Sequence, residues 1–392
     1  MKVSYAAARG IRAGHPWVFR DSVLRPVEGL PPGAAIRVLD EDGNPLCWAL
    51  HEPEGAIAFR VVGLQDELRW DAEAIDARVA AALALRERVL PEAVRSACRL
   101  VHAEGDGLPG IAVDRLGDFL LLYRYARAAE GWVDHLLDSL ERRLSPAGIY
   151  LQDRVRPVLP DERRPGAAHL RGKAAPPELE VREDELAFIV DVTAPVSPGL
   201  FLDLREGRRW LEPLAAGKRV LNLFSFTGSF ALRALRGGAV EVTNVDAAAR
   251  SHARCRQNLE ASGMDPEACV ALTGDVFKHL ERMRQRKREF DLVIVDPPPF
   301  SRVKDRVFSA LRDWHELMAA IAAVSAPGAE VLAVSNASRL PESELLLAIG
   351  DGAVAGGRPA RVLGECGLPP DFPVPPAFVE GHYLEIKRLL LP

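Results

Sequence analysis

The 392-residue chain carries 48% hydrophobic and 27% charged residues, which excludes a disordered or collagen-like polymer and, by length, predicts two or three domains. Its formal net charge of −5 and pI near 6.1 exclude a polycation that coats nucleic acid over its whole surface, so any such site must be local. No apolar run approaches the roughly 18 residues that span a bilayer, and the opening residues lack the apolar core of a secretion signal, so no membrane partner and a cytosolic location are expected.

From Gly14 to about Val62 the segments AAIRVLD, LCWALHE and AIAFRVV alternate with turns such as LPPG and DEDGNP, the pattern of a small β-barrel. An Ala-rich run from Trp70 to Leu90 has helical spacing and stops before Pro91, which predicts a connecting helix. GLPGIAVDRLGDFLLLYRY predicts two strands about a turn at Gly117, followed by a helix over Trp132 to Leu144 and the strand GIYLQD. Val155 to Pro177 is rich in Pro, Gly and Arg and predicts a long loop. Two strands around LEVRED and LAFIVDV then lead to SPGLFLDLREGRRWL, where a helix begins near Leu204.

From Lys218 the pattern becomes strand, helix, strand, helix. RVLNLF, VEVTNVD, CVALTGD, DLVIVD and EVLAVSN are the strands, and helices cover SFALRAL, Ala249 to Ser262, a stretch ending at Lys287, and Leu311 to Ala323. Such alternation predicts an α/β fold with a mostly parallel, Rossmann-like sheet, whose ligands bind beyond the carboxyl ends of the strands. The expected domains are a small barrel over 1–68, a connecting helix over 69–98, an α+β middle domain over 99–195 and the Rossmann-like domain over 196–392.

Three consecutive strand ends carry residues suited to an adenosine. After RVLNLF comes the turn Ser225-Phe226-Thr227-Gly228-Ser229, where small residues and backbone N–H groups allow close approach of a cofactor; it lacks the GxGxxG of dinucleotide enzymes. The next strand ends in Asp246, 18 residues after Gly228, where a carboxylate can accept hydrogen bonds from both ribose hydroxyls. The third ends in Asp275, which can accept from an adenine amino group, although either acid alone is as readily a helix N-cap. The fourth ends in Asp296-Pro297-Pro298-Pro299-Phe300: the prolines stop the sheet, and Phe300 offers a face on which a planar base can stack.

Five scattered cysteines, Cys47, Cys98, Cys255, Cys269 and Cys366, form no CxxC pair, so no metal site is expected. Basic residues concentrate in RMRQRKR (Arg282, Arg284, Arg286, Lys287, Arg288) and between Arg154 and Arg171, as a nucleic-acid contact or, for the first, a solvated helix end.

On these residues the chain resembles, over nearly its whole length, the bacterial family of large-subunit ribosomal RNA base methyltransferases that carry an N-terminal PUA domain. GHPWVF, from Gly14 to Phe19, is similar to the opening of that family's RNA-binding PUA barrel, and RLVHAEGDGLPGIAVDRLGD, from Arg99 to Asp118, to the start of its middle domain. GLFLDLREGR, from Gly199 to Arg208, resembles its cofactor-covering segment, with Leu204 where the family has glutamine or histidine. VLNLFSFTGSFAL, NVD, GDVF and DPPPF follow in the family's order. The resemblance implies S-adenosylmethionine (SAM) as cofactor, lined by Phe201, Asp203, Arg205, Asn222, Phe224, Thr227, Gly228, Asp246, Asp275 and Asp296. It implies ribosomal RNA or a large-subunit precursor as partner, and leaves a homodimer open.

The target base turns on one position. Family members that methylate cytosine at C5 carry a cysteine just past the fifth strand, because C5 is a poor nucleophile until a thiolate adds to C6. Here that segment reads Val334-Ser335-Asn336-Ala337-Ser338. Asn336 resembles the Ser-Asn segment of relatives that methylate guanine at N7, which share the GLFLD stretch and a DPP-x-F-S segment. N7 has its own lone pair, so such a transfer needs only positioning. Direct transfer to guanine N7 is therefore expected, ahead of an exocyclic amine, with cytosine C5 as the runner-up. In this reading Phe300 stacks the base, Asn336 or the carbonyl of Asp296 orients its edge, Pro297 fixes the strand end and Lys304 contacts phosphate, although simple solvent exposure is the commoner state for Lys304 and Arg302. The alternatives from other classes are a small-molecule methyltransferase and a non-catalytic RNA-binding assembly factor.

Overall fold

The computed structural model describes residues 1–64, 67–155, 164–303, 306–337 and 340–392. They divide into two units, each built from several stretches of chain: Met1–Asp184 with Val190–Pro198 and Pro370–Gly381, and Glu185–Ile189 with Gly199–Pro369 and His382–Pro392.

The first unit opens on helix α1 (Tyr5–Arg12), capped by Ser4, which the sequence reading did not anticipate. Strands β1 (Trp17–Phe19), β2 (Ala35–Leu39), β3 (Pro45–His51) and β4 (Ile57–Gly63) form an antiparallel sheet in the order β1-β4-β3-β2 around Val18, Val38, Cys47 and Phe59. Helix α2 (Ala72–Val89) starts at an Asp71 cap and buries Ile75, Val79 and Ala82. Beyond it β5 (Ala97–His102), β6 (Ile111–Leu116), β7 (Phe119–Arg124), β8 (Gly148–Asp153) and β9 (Ala168–Gly172) make a second sheet in chain order, with helix α3 (Val133–Leu144) crossing between the parallel strands β7 and β8.

Strand β9 corrects the expected loop over 155–177. Its largely exposed residues pair with β8 at the sheet edge, so it carries no apolar alternation to be read. Strand β10 (Leu179–Glu183) follows. The late segment Pro370–Gly381 also packs in this unit. The buried Asp371 accepts the Arg99 N–H at 2.9 Å, its carbonyl accepts Arg86 Nη2 at 2.7 Å, and the Phe372 ring lies 4.5 Å from the Arg99 guanidinium.

In the second unit β11 (Leu186–Val190) precedes helix α4 (Arg205–Leu211). The main elements are β12 (Arg219–Leu223), α5 (Ser229–Arg236), β13 (Glu241–Asp246), α6 (Ala249–Ala261), β14 (Cys269–Thr273), α7 (Val276–Gln285) and β15 (Phe290–Val295). After a hairpin of β16 (Phe300–Val303) and β17 (Arg306–Ser309) come α8 (Ala310–Ala322), β18 (Ser325–Ser335), α9 (Glu342–Ala355), β19 (Arg361–Cys366) and β20 (Glu385–Leu391).

The seven-stranded sheet runs β14-β13-β12-β15-β18-β20-β19, parallel except for β20. The expected α/β, Rossmann-like class is what the structure has; the hairpin and everything after β18 are additions to it. Strand interiors such as Val220, Leu221, Leu292, Val293 and Leu332 are fully buried, as a sheet covered on both faces requires. Strand order reverses between β12 and β15, and a crevice opens at such a switch point. Among the described residues no helix is long and apolar enough to cross a membrane.

Candidate active site at the strand ends

The turn after β12 is an unusual piece of backbone. Phe224 (φ 57°), Phe226 (φ 45°) and Gly228 (φ 79°) all adopt left-handed angles, alternating with Ser225 and Thr227. Two of the three are not glycine, and such conformations persist only where surrounding contacts impose them. Alternation of this kind turns successive N–H groups toward one concavity, a nest for a polar ligand. At Gly228 the space is closed as well: an added Cβ would lie 2.2 Å from Cys255 Sγ.

Several side chains impose the turn. Asp246, at the end of β13, accepts the Phe226 N–H on Oδ2 and the Ala248 N–H on Oδ1, both at 2.9 Å. Each oxygen keeps a lone pair for a further donor. The Thr227 hydroxyl donates to Gly199 O at 2.6 Å and Asn258 Nδ2 donates to Thr227 O at 2.9 Å, while Asn258 Oδ1 receives the Ile189 N–H at 2.8 Å. The nest is thus tied to the GLFLD segment and to β11. Sequence reading missed Asn258, which has no motif to mark it.

Asn222 sits inside β12, 2% exposed, and donates to Asn244 Oδ1 at 3.0 Å. The structure therefore places it beneath the turn within the sheet. Asp275 caps α7 by accepting the Lys278 N–H at 2.9 Å, which leaves its second oxygen available. Phe201, 43% exposed, packs against Phe226 with ring centroids 5.3 Å apart. Phe224 packs on Phe308 of the β17 strand, at 5.8 Å. Asp203 accepts the Tyr383 hydroxyl at 2.9 Å, a partner the sequence did not suggest. Arg205 and Arg208 are fully buried beneath this segment, and Arg208 Nη1 donates to Phe201 O at 2.8 Å.

At the end of β15, lost solvation and the nearby Asp203 carboxylate push the Asp296 carboxyl up to about 7, opposed by Arg208. Pro297 is buried, and Phe300 opens the hairpin with 60% of its surface exposed. Asn336 is exposed just past β18. Lys304 and Ser338 lie outside the described residues, and so do 156–163 of the Arg-rich stretch. RMRQRKR is the C-terminal end of α7 and its exit: Arg284 pairs with Glu281 and Arg288 with Glu241.

The sequence profile described as S-adenosylmethionine-dependent methyltransferase matches residues 98–376, and that of a PUA-like domain matches residues 1–63. This chain belongs to the SAM-dependent methyltransferases. It is 32% identical over 371 residues to the ribosomal RNA large subunit methyltransferase I of Erwinia tasmaniensis, covering 95% of this chain and 94% of that protein. It is 31% identical to the protein of the same name from Photobacterium profundum, covering 96% and 95%. Among solved structures it shares its fold with SMU.776, a methyltransferase complexed with SAH (TM-score 0.90, 24% identity, 100% and 99% covered). A SAM-dependent methyltransferase from Streptococcus mutans is similar at a TM-score of 0.88, with 24% identity and coverage of 100% and 99%.

The methyltransferase's strand ends suit its cofactor. SAM brings an adenosine and a charged amino-acid end, and the nest supplies backbone N–H groups beside Ser225, whose buried hydroxyl has no partner among the described residues. At these strand ends Asp246 and Asp275 keep acceptor capacity beyond the backbone N–H groups that they already hold. Bound SAM contributes an electrophilic methyl group, so the protein's own task is to orient the acceptor and exclude water.

The segment Val334–Ala337 holds no cysteine, and strand β20 separates it from Cys366, since Ile386 pairs with Val334 on one side and with Cys366 on the other. Cys366 lies on the edge strand β19, its thiol pushed up to about 11 by burial and Glu206. Cys255 and Cys269 are neighbours on α6 and β14, Cys47 is pushed up to about 12 by burial in the first unit, and Cys98 is buried there too.

Proposed function

We propose that this methyltransferase transfers the SAM methyl group to a base of large-subunit ribosomal RNA. The observation that carries the reading is its end-to-end relationship to large-subunit ribosomal RNA methyltransferases, PUA-like domain included. A small-molecule enzyme has no use for that domain. In this reading Asp246 holds the ribose, Asp275 the adenine, and Phe201, Asp203, Arg205, Phe224, Thr227 and Gly228 close around the cofactor, with Asn222 supporting the turn from below. Phe300 stacks the base, and Pro297 fixes the backbone that presents it. Asp296, titrating near neutrality, can offer a proton as a hydrogen-bond donor to the base edge.

For the target atom, membership of a family whose label points to cytosine C5 favours that reading, and the expected guanine N7 gains no support from the comparisons. One observation at the site keeps direct transfer to N7 as a second reading: Asn336 occupies the position past β18 where C5 members carry their cysteine. Nucleoside mass spectrometry and primer-extension mapping of ribosomal RNA from cells with and without the gene test both. Loss of one 5-methylcytidine supports C5 transfer, and loss of one 7-methylguanosine supports the second reading. An unchanged large-subunit RNA overturns the proposed substrate.

A further inference from the structure

The first unit contains a cleft of about 600 Å³ bounded by α2, β5, β6 and the end of α3. Leu83, Leu100 and Leu144 give it an apolar lining, and Arg95, Arg115, Arg142 and Arg143 line it as well. A second cavity of about 330 Å³ shares Arg95, Arg115 and Leu144 with the first and adds Ser96 and Ser145. Arg95 and Arg115 therefore line both, at the place where one cavity gives way to the other.

The charges in this cleft are unevenly met. Arg142 and Arg143 both grip Asp76 at 2.6 Å, and Arg86, which also lines the first cavity, is paired with Asp106 at 2.6 Å. Arg95 spends its donors on backbone carbonyls, Glu87 O at 2.8 Å and Leu90 O at 3.1 and 3.2 Å, and has no carboxylate partner among the described residues. The guanidinium of Arg115, half-buried on β6, donates to no described residue. The acids on the two linings are Glu87 and Asp118, both exposed and neither paired with these arginines. In a chain of net charge −5, two half-buried arginines without a carboxylate partner among the described residues are a local excess of positive charge beside an apolar lining.

We infer that this double cleft binds the phosphodiester backbone of the RNA substrate, with Arg95 and Arg115 as the phosphate ligands. The inference rests on the proposed RNA substrate and adds where the RNA is gripped outside the methyl-transfer site. The Arg115 guanidinium fork can match phosphate oxygens in pairs by charge-assisted hydrogen bonds, and Arg95, whose Nε and Nη2 are committed to carbonyls, adds its charge and its Nη1 donors. The leucines beside it accept the apolar faces of ribose and base. An acidic peptide would meet the same charges but brings single carboxylates on flexible stems, where a phosphodiester chain presents its charges at a regular spacing along one backbone.

The test uses the full-length chain, an in vitro transcript of large-subunit ribosomal RNA, and fluorescence anisotropy across a salt series. Arg115→Ala should weaken RNA binding about tenfold near 0.1 M salt and lower the slope of log K against log salt by about one, with Arg95→Ala additive in direction. SAM affinity should match the wild type in both variants, and so should the melting temperature of Arg115→Ala; Arg95→Ala also loses its bonds to Glu87 O and Leu90 O and should melt somewhat earlier. If the alanine variant melts early, Arg115→Met keeps the apolar stem and should show the same RNA loss. Wild-type RNA binding and methylation with unaltered affinity in the variants overturns the cleft and leaves the proposed function standing. A wild type that neither binds nor methylates the RNA overturns both. Loss of poly-glutamate or inorganic phosphate binding in the variants, with RNA binding retained, also overturns the inference and makes the cleft a peptide or small-anion site.

Discussion

The Tyr383 hydroxyl donates to Oδ2 of Asp203 at 2.9 Å, joining residues 180 positions apart in the sequence. It fixes one carboxylate of a pair, because Asp203 is the charge that helps push Asp296 up to about 7. Tyr383→Phe removes only the hydroxyl. We expect SAM affinity to fall about three- to tenfold, the effect of one hydrogen bond to a charged group, with the fold intact by circular dichroism. Wild-type affinity in calorimetry would show that Asp203 keeps its position without the tyrosine.

Asp246 ties two turns together and has lone pairs to spare. Asp246→Ala should cost SAM binding about 1–3 kcal/mol, from the lost charge-assisted hydrogen bonds to ribose. Asp246→Asn, which can still accept from Phe226 or Ala248, should melt closer to the wild type than the alanine variant does. Unchanged SAM affinity in the alanine variant removes Asp246 from the ribose site.

Cys366 bears on the chemistry of transfer. Its thiol is raised to about 11 and so is protonated near neutral pH, a poor state for a nucleophile. Under direct transfer Cys366→Ser keeps full methylation of an RNA transcript. Complete loss of activity, with SAM binding retained, establishes a covalent cytosine route through this cysteine.

Asp296 makes the fold pH-sensitive in a definite sense. A carboxyl whose folded-state pKa is raised from 3.8 to about 7 holds its proton more tightly in the folded protein. The stability this contributes is complete below about pH 4 and is lost as pH rises through 7. Asp296→Asn removes the titration, so the gap in melting temperature between pH 5 and pH 8 should narrow. The variant should be the more stable protein at pH 8, by at most about 4 kcal/mol from a shift of this size. Its methyl transfer should fall. An identical pH profile in the variant places the titration elsewhere.

The Rossmann-like half was readable because strands such as β12 and β15 are mostly apolar, because Asp246, Asp275 and Asp296 mark strand ends, and because helical spacing resumes after each of the first three strands. Strand β9 was not, since an edge strand exposed along its length has no face to alternate. Tyr383, Asn258 and the left-handed Phe224 and Phe226 left no trace either. The first two act through contacts made only in the fold, and no residue preference signals a phenylalanine with positive φ. The contact that Asn222 makes inside the sheet, to Asn244 in the neighbouring strand, was equally invisible, because it depends on the register of two parallel strands.

The twelve residues from Pro370 to Gly381 belong to the first unit although they lie between β19 and β20 of the second. No single cut in the chain therefore yields either unit whole and free of the other. A chain cut before β19 would strip Arg86 and Arg99 of the Asp371 contacts that bury them, and one beginning at Gly199 would carry Phe372 and Asp371 into solvent with no partners. A single crossover in the gene meets the same obstacle as a single cut in the protein: it cannot pass on one unit whole without part of the other.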